Sequence, residues 1–436
     1  MKIELSATIS ALLFIVLITV IITLSLKLNT SLGLEGLYKK ALESKSALYK
    51  SQYKHAASLK PFVNVPTRIA TYFSKGRYAF PAQSTSPNAS QPILCVLSLG
   101  GSYKTSDLQT YWVACGYSLG SFVAPTFHAV DGVKTAPNQS FGKSTSIFYA
   151  NSIENTLDLE IAMTLCPAAS VHIFSGPNTN QGFYNTLNAA KSYLIAQPST
   201  RCKIISISWG LNELSIDPVS ALACNALLST IQAAGISVCA ASGDNSADDG
   251  SGILSVDFPA SSPYVIGCGG TSYVSGLTET AWSYSATNKW GGGGGYSMFF
   301  EKPQFQSSKV TSGSSPSLVG SALLTNRSVP DVALNADPLN GWSIYFNGAY
   351  IIVGGTSCVS PAFSAFLALC NKSSSSYNGT TNVLTKLYDA PSGCFRDITS
   401  GTNNSLNLPG LYNAVSGYDQ CTGLGSIIGT TLITNL

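Results

Sequence analysis

The chain has 436 residues, of which 45% are hydrophobic and only 10% are charged. Soluble proteins carry charge on about a quarter of their residues, so this surface is polar largely without charge, and few carboxylates would have to be neutralised at acidic pH. A net charge of +3 is too small to indicate nucleic acid as a partner, and the length fits one large domain or two smaller ones.

The first element is an uncharged, mostly apolar run from Ala7 to Leu26. It is long enough to span a bilayer and longer than the core of most signal peptides. No convincing small-residue cleavage site follows, so we predict a transmembrane signal anchor within residues 1–28. Lysines on both sides of the run leave its orientation open. Residues 29–60 have the composition of a helical stem.

Several Asn-X-Ser/Thr sites follow the anchor, which fits a glycosylated lumenal or extracellular body. An asparagine- and serine-rich chain also contains such sites by chance. The 11 cysteines leave the compartment and the disulfide pairing open. The asparagines of these sites are Asn29, Asn88, Asn138, Asn326, Asn371, Asn378 and Asn403.

From residue 61 onward the pattern alternates between strands and helices. Continuously apolar strands separated by helices predict an α/β fold with a parallel sheet covered on both faces. The glycine run Gly291–Gly295 is interpreted as a flexible loop. The predicted strands are Pro92–Leu99, Ser170–Phe174, Lys203–Trp209, Ile236–Ala241 and Tyr264–Gly267. The predicted helices lie near Ser106–Cys115, Ile153–Cys166, Gln181–Leu194 and Pro218–Ala234.

A glycine turn connects the apolar strand Tyr350–Val353 to the apolar helical run Ala362–Leu369 and contains Ser357. Such a turn can present a serine hydroxyl at a helix N-terminus, where backbone N–H groups favour negative charge. A nucleophilic serine needs this because an oxyanion forms beside it during acyl transfer. A turn that only caps the helix is the alternative.

A serine hydrolase also needs a base, and the chain has three histidines. His55 lies in the stem, His128 in a loop region and His172 inside an apolar strand. None is followed by the Gly-Thr pair of a subtilisin-type histidine, so a Ser-His-Asp triad is not expected. His172 is predicted to be a core or sheet-edge residue.

Carboxylates are the other candidates. Glu154 and Asp158 have i,i+4 spacing, which places them on one face of a helix and separates their titrations. A solvated helix face is the competing interpretation. Asp244 follows the strand Ile236–Ala241, at the sheet edge where ligands gather. A turn or a helix cap explains its position equally well.

With these residues in place, the chain resembles the sedolisins, which are serine-carboxyl peptidases with a subtilisin-like fold, and in particular the kumamolisin-like group. The matching motifs cover most of residues 61–436, which are therefore predicted to form the peptidase domain. They include Leu97–Gly101, the Glu154/Asp158/Glu160 block, Ser206–Gly210, Ser242–Asp244, Phe258–Pro263, Val329–Val332, Gly354–Pro361, Asp397–Thr399 and Gly417–Asp419.

The resemblance implies a role for each matching residue. Ser357 is the nucleophile, Glu154 the general base and later acid, and Asp158 the residue that orients Glu154. Asp244 donates to the oxyanion, which a carboxyl group does only when protonated. The implied activity is therefore endopeptidase cleavage of peptide or protein substrates at acidic pH. Substrate binding is assigned to Ser208, Trp209 and Gly210.

The resemblance also implies one Ca²⁺ site near the C-terminus, because hard oxygen ligands suit this ion. A monomer is expected. The five ligands are Asp397 and Asp419 through their carboxylates and Ile398, Val415 and Gly417 through their carbonyl oxygens.

Two features depart from the family pattern. Kumamolisin-like members have a further glutamate on the first strand, and here that position is Ser98. Only residues 29–60 lie between the anchor and the peptidase domain, where the family has a long propeptide. The alternative function is therefore an inactive sedolisin-like binding or envelope protein.

Overall fold

The computed structural model describes residues 78–81, 91–274, 278–283, 290–310, 324–370, 379–404, 406 and 411–436. All of them belong to the second of the chain's two units, Ser51–Leu436. The predicted anchor and stem lie outside these residues. Within the described ranges, no helix combines the length and the apolarity needed to cross a membrane.

The described helices and strands alternate along roughly the first half of the domain, up to residue 241. The helices are α1 (Thr105–Ala114), α2 (Ile147–Leu165), α3 (Asn180–Ile195), α4 (Pro218–Ala233), α5 (Val359–Leu369), α6 (Thr380–Asp389) and α7 (Gly429–Leu432). The strands are β1 (Ile93–Ser98), β2 (Thr126–Ala129), β3 (Ser170–Ser175), β4 (Lys203–Ile207), β5 (Leu211–Asn212), β6 (Ser237–Ala241), β7 (Asp257–Phe258), β8 (Ile266–Val274), β9 (Thr278–Ala281), β10 (Gly295–Glu301), β11 (Asn326–Val329), β12 (Val332–Asn335), β13 (Trp342–Phe346), β14 (Ala349–Val353), β15 (Phe395–Arg396) and β16 (Ser426–Ile427).

The central sheet has the strand order β12-β8-β6-β4-β1-β3-β2. Every neighbouring pair in this order is parallel, and β9 adds an antiparallel strand to β8. Parallel neighbours require crossover connections. The helices α1 to α4 lie in the connections between β1 and β6, whereas no described α-helix lies between β6 and β12. The predicted α/β fold with a parallel sheet is confirmed.

Residues of β1 alternate between two hydrophobic cores. Ile93, Cys95 and Leu97 pack with residues of α3 and α4. Leu94 and Val96 pack on the other face with residues of α1 and α2. Because successive side chains of a strand point to opposite faces, a strand covered on both sides must be apolar throughout, as the sequence pattern predicts.

The glycine run Gly291–Gly295 is not a flexible loop. A side chain at Gly293 would come within 2.0 Å of the Ser242 carbonyl oxygen, and one at Gly294 within 2.0 Å of the Gln420 carbonyl oxygen. The run is buried, and glycine is needed because two distant backbone segments approach it closely. The prediction was wrong because glycine-rich composition fits both a loose loop and a tight contact.

Candidate active site

Ser357 lies in a tight turn between β14 and α5. The turn passes through Gly355, whose φ of 101° lies in the left-handed region, and through a short 3₁₀ segment, Thr356–Cys358. A side chain at Gly355 would come within 2.6 Å of Asp244 Oδ2, so both the backbone conformation and the space require glycine. Ser357 is only 3% exposed and stands at the N-terminal end of an apolar, buried helix.

Asp244 is bonded to this turn from the end of β6. Its Oδ1 accepts a hydrogen bond from the Thr356 N–H at 2.7 Å and another from Thr356 Oγ1 at 2.9 Å. Thr356 Oγ1 also lies 3.1 Å from the backbone N and the carbonyl O of Gly243. The aspartate is thus fixed beside the serine by the residue that precedes the serine.

Glu154 and Asp158 come from α2, whose first turn is capped by the Ser146 hydroxyl, which accepts from the Tyr149 N–H at 3.1 Å. The two carboxyl groups are 0% and 1% exposed. The interpretation as a solvated helix face is therefore wrong. Burial of two carboxyl groups costs desolvation free energy, which hydrogen bonds or neighbouring groups must offset.

Ser208 connects Asp158 to the serine turn. Its hydroxyl lies 2.6 Å from Asp158 Oδ1 and 3.2 Å from the Ser357 carbonyl oxygen. Since α2 and α5 also pack against each other, Asp158 and Ser357 are held together by one short polar bridge within a close-packed contact.

The Cys358 thiol, next to Ser357 in the turn, is affected by the charges of the nearby carboxyl groups. Burial raises the pKa of Cys358 well above its usual value, and the charges of Glu154, Asp244 and Asp158 raise it further. Carboxyl groups from two separate elements therefore surround the turn. The structure places Asp158 and Asp244 at the serine turn, with Glu154 near enough to affect Cys358, and the catalytic roles of these residues stay predictions.

Comparison with known proteins identifies the family of this chain. Residues 144–389, more than half of the chain, match the subtilase family (Peptidase_S8). The chain belongs to the subtilase family.

Among individual proteins, this subtilase is 35% identical over 387 residues to kumamolisin of Bacillus sp. (strain MN-32), a match covering 83% of the chain and 66% of kumamolisin. It is 30% identical over 292 residues to human tripeptidyl-peptidase 1, a match covering 63% of the chain and 48% of the human protein. The subtilase thus spans about two thirds or less of these relatives' length.

A solved structure of Pseudomonas sedolisin, a serine-carboxyl proteinase complexed with two molecules of pseudo-iodotyrostatin, superposes with a TM-score of 0.66 at 26% identity. The superposition covers 84% of this chain and 96% of the sedolisin chain. The subtilisin-like fold and the resemblance to kumamolisin-like sedolisins are confirmed.

The histidines of this subtilase that lie in the described ranges are bonded to each other at one edge of the sheet. His128 Nε2 lies 3.1 Å from His172 Nδ1, and the hydroxyls of Ser170 and Tyr193 each lie 3.0 Å from His172 Nε2. Burial lowers the pKa of His172 to about 4, helped by His128 and Arg201. The prediction for His172 is confirmed, whereas His128 lies in strand β2 and not in a loop.

The predicted substrate-binding residues follow β4. The Ser208 hydroxyl points to Asp158, and Trp209 packs in the hydrophobic core. Gly210 is exposed, and a side chain there would come within 1.8 Å of Asp257 Oδ1. The backbone at Gly210 is the accessible part of this segment, and its role in substrate binding stays a prediction.

Ser98, at the end of β1, has polar neighbours of its own. Its hydroxyl lies 2.7 Å from Asn155 Oδ1 and 2.9 Å from the Gly100 carbonyl oxygen. Asn155 Nδ2 donates to the same carbonyl at 2.9 Å. Ser98, at the position where a further carboxylate is expected from the resemblance, is thus paired with Asn155, the residue that follows Glu154.

The predicted calcium ligands cluster around residues 415–417. Asp397 Oδ2 accepts from the Gly417 N–H at 2.8 Å, and Asp419 Oδ2 accepts from the Val415 N–H at 3.1 Å. Among the described residues, no cluster of three or more His, Cys, Asp or Glu side chains could hold a metal ion. An ion here would have to rely on backbone carbonyl oxygens, and an all-oxygen set of this kind fits Ca²⁺.

The described glycosylation sites differ in access. Asn403 is fully buried, and its Nδ2 donates to the Gly292 and Gln420 carbonyl oxygens. Asn326 Nδ2 donates to the Ser297 carbonyl at 2.7 Å. Asn138 is exposed, and its Oδ1 accepts from the Thr105 N–H. A glycan on Asn403 is incompatible with this fold, and the remaining four sites lie outside the described residues.

The contacts that two residues make at the site were not predicted from the sequence. Thr356 holds Asp244, and Ser208 bridges Asp158 to the turn instead of facing solvent. The sequence gives one indication that Thr356 contributes to the site, which is its position directly before Ser357. Nothing in the sequence indicates the direction of the Ser208 side chain, since it depends on how α2 packs against the turn.

Proposed function

We propose that this chain is a serine-carboxyl endopeptidase that hydrolyses peptide bonds at acidic pH. The observation that carries this proposal is the position of one buried serine, which Ser208 links to Asp158 and Thr356 links to Asp244. The described histidines bond to each other at the far edge of the sheet, which supports a carboxylate as the base.

In the proposed mechanism, Glu154 accepts the proton of Ser357 Oγ while this oxygen attacks the carbonyl carbon of the scissile bond. The carbonyl oxygen becomes an oxyanion that accepts hydrogen bonds from protonated Asp244 and the Ser357 N–H. Glu154 then gives its proton to the leaving amine, and an acyl-enzyme remains. Water attacks this ester and gives a proton to Glu154. Glu154 returns that proton to Ser357 Oγ as the ester C–O bond breaks, so that the acid product leaves and Ser357 and Glu154 are restored.

Asp158 supports this cycle by position. One of its oxygens accepts from the Ser208 hydroxyl, whose oxygen also lies close to the Ser357 carbonyl. Asp158 lies one helical turn after Glu154, on the same face of α2. Movement of α2 relative to the serine turn would therefore break this bridge.

The pH dependence tests the role of Asp244. Asp244→Ala is expected to lower kcat about 10²- to 10³-fold, as the loss of one oxyanion donor does. Asp244→Asn should retain most activity in acid, and its activity should extend to higher pH, because an amide donates without needing an added proton. The measurement is kcat for a peptide substrate from acidic to neutral pH.

Asp248→Asn serves as the matched control. Asp248 is buried in the same segment, and its Oδ2 accepts from the Gly252 N–H. Its pH profile should follow that of the wild type. A profile of Asp244→Asn that coincides with the wild type would rule out the proposed donor role. Absence of hydrolysis by the wild-type chain at every pH would instead favour the inactive binding protein.

We also propose that Asp397, Asp419 and the carbonyl oxygens of Ile398, Val415 and Gly417 bind one Ca²⁺ ion that stabilises the C-terminal segment. At a free concentration about 100 times Kd, a bound ion adds about 3 kcal/mol to the free energy of unfolding. EGTA should therefore lower the Tm of the wild type, and Asp397→Asn should remove this effect. An unchanged Tm in EGTA would refute the site.

The proposed location is a membrane, with residues 7–26 as a single-pass anchor and the catalytic domain on the lumenal or extracellular side. The length and composition of this run support the proposal. Extraction of the full chain from membranes by alkaline carbonate would contradict it, whereas release only by detergent is expected.

A further inference from the structure

Glu160 is a third buried carboxyl group on α2, and the mechanism above does not use it. It is 1% exposed. At 100° per residue, it points away from the face shared by Glu154 and Asp158. Its Oε2 accepts a hydrogen bond from the Tyr345 N–H at 2.8 Å. Glu160 therefore connects the catalytic helix to strand β13, which lies 185 residues further along the chain.

Strand β13 forms a two-residue hairpin with β14 through Asn347 and Gly348. Both turn residues have positive φ, 52° and 83°, as in the type I′ turn that Asn-Gly favours. In such a hairpin the residue pair directly next to the turn exchanges backbone hydrogen bonds, and the following pair does not. Tyr345 and Tyr350 form this following pair, so their N–H groups point outward. An outward N–H on an edge needs another acceptor.

Two carboxyl groups from two helices supply these acceptors. Glu160 of α2 accepts from Tyr345, and Asp107 of α1 accepts from the Asn347 N–H at 2.6 Å through Oδ2. Lys104 Nζ donates to Asn347 Oδ1 at 2.7 Å. The outer edge of β13 is thus covered by side-chain oxygens where a further strand would otherwise pair.

The hairpin leads directly to the nucleophile. β14 ends at Val353, and the next residues are the glycines of the serine turn. A side chain at Gly354 would come within 2.6 Å of the Ala336 carbonyl oxygen, and one at Gly341 within 2.1 Å of the Val353 carbonyl oxygen. The base of the hairpin is therefore tightly packed, so a shift of the hairpin would be transmitted to Ser357.

We propose that Glu160 is a positioning residue that, through Tyr345, fixes the hairpin leading to Ser357 against the helix that carries Glu154 and Asp158. The proposal rests on the function proposed above. It makes the distance between nucleophile and base depend on a bond remote from both. A displacement of about 1 Å between the nucleophile and the base can lower the rate roughly 100-fold.

The surroundings of Glu160 suit its neutral form. Burial raises the pKa of Glu160 well above its usual value, the Tyr345 N–H lowers it and the Asp107 charge raises it. The titratable groups that face it are Asp107, Tyr111 and Cys115 from α1 and Tyr350 from the hairpin, and the nearby cation Lys104 is bonded to Asn347. Glu160 Oε1 has no hydrogen-bond partner among the described residues.

The sign of the pH effect follows from this shift. The folded state keeps the proton of Glu160 at a pH where the unfolded chain, with a pKa of about 4.3, has lost it. The stability that this group contributes is fully present below that value and is lost as pH rises through the folded-state pKa. The contribution of Glu160 to the stability of the folded domain is therefore greatest in acid, although the Tyr345 N–H by itself favours the ionised carboxylate.

The test combines amide hydrogen exchange with kinetics in the full chain. Glu160→Ala is expected to reduce the protection of the Tyr345 amide about tenfold, as the loss of one hydrogen bond does, and to lower kcat roughly 10- to 100-fold with little change in KM. Glu160→Gln should restore both, because an amide oxygen accepts the same bond. Glu213→Gln is the control, since its buried carboxyl group accepts from Ser297 and Met298 and not from the hairpin.

The pH dependence provides a second readout that does not need activity. The free energy of unfolding of the wild type should fall relative to that of Glu160→Gln as pH rises above about 4.3, because the unfolded wild-type chain then loses a proton that the buried Glu160 retains. If Glu160→Ala does not fold, the comparison of the wild type with Glu160→Gln across pH tests the proposal alone. Equal protection in all variants overturns the proposal even if the chain is an active peptidase. Reduced protection in an inactive chain would sustain the structural link and refute only the proposed function.

Discussion

Replacement of Ser357 by alanine is expected to reduce peptide hydrolysis at acidic pH on the order of 10⁴- to 10⁶-fold. The variant lacks the oxygen that forms the acyl-enzyme, and the remaining carboxyl groups cannot replace it. Its Tm should stay close to that of the wild type, because a single hydroxyl is removed without opening a cavity. The measurement is kcat/KM for a peptide substrate, with the thermal unfolding curve recorded on the same sample.

Ser364→Ala is the matched control for this experiment. Ser364 lies on α5, is fully buried, and its hydroxyl has no hydrogen-bond partner among the described residues. The same atom is thus removed about two turns further along the chain, in the helix that follows the serine turn, and activity should be unchanged. Full activity of Ser357→Ala would eliminate the serine mechanism, and equal losses in both variants would point to damage of α5.

The sheet could be predicted from the sequence because its central strands are buried on both faces. The segments Ile93–Ser98 and Lys203–Ile207 are buried at every position and mostly apolar, and both alternate along the chain with helix-like segments, which favours a parallel sheet. Strand β2 was missed because it is short and lies at the sheet edge, so its residues Thr126–Ala129 are partly exposed and carry no such signal.

The candidate site could be predicted in part for similar reasons. The spacing of Glu154 and Asp158 determines a shared helix face, and the position of Asp244 after a strand determines a place at the sheet edge. The contacts between these elements could not be derived in this way. Glu160 meets Tyr345 185 residues away, and only the packing of α2 against the hairpin brings the two together.

The Val329–Val332 motif shows a related limit. The resemblance marked it as part of the family pattern, and its acidic residue could have been a functional carboxylate. In the structure, Asp331 is fully buried and accepts from Arg327 Nη1 and Nη2 at 2.7 and 2.6 Å. It also accepts from the Gly267 N–H and the Tyr388 hydroxyl. The motif therefore has a structural role that ties β11 and β12 to β8.

Arg327→Ala is accordingly expected to lower the free energy of unfolding by about 3–5 kcal/mol. The substitution leaves the Asp331 charge buried without its cation, and it removes the donors to the Ser328 and Val265 carbonyl oxygens. Because domains have a total stability of about 5–15 kcal/mol, this loss approaches complete unfolding. Urea denaturation at constant pH measures it.

Arg201→Ala is the control, since Arg201 is only partly buried and donates to the single carbonyl of Gln91. Its loss should stay near 1 kcal/mol. Asp331→Asn in the Arg327→Ala background removes the stranded charge while keeping an acceptor for Gly267, so it should recover part of the stability. Equal destabilisation by Arg327→Ala and Arg201→Ala would show that the buried ion pair contributes no more than a surface hydrogen bond. A double variant no more stable than Arg327→Ala would show that the cost arises from the lost carbonyl bonds and not from the stranded charge.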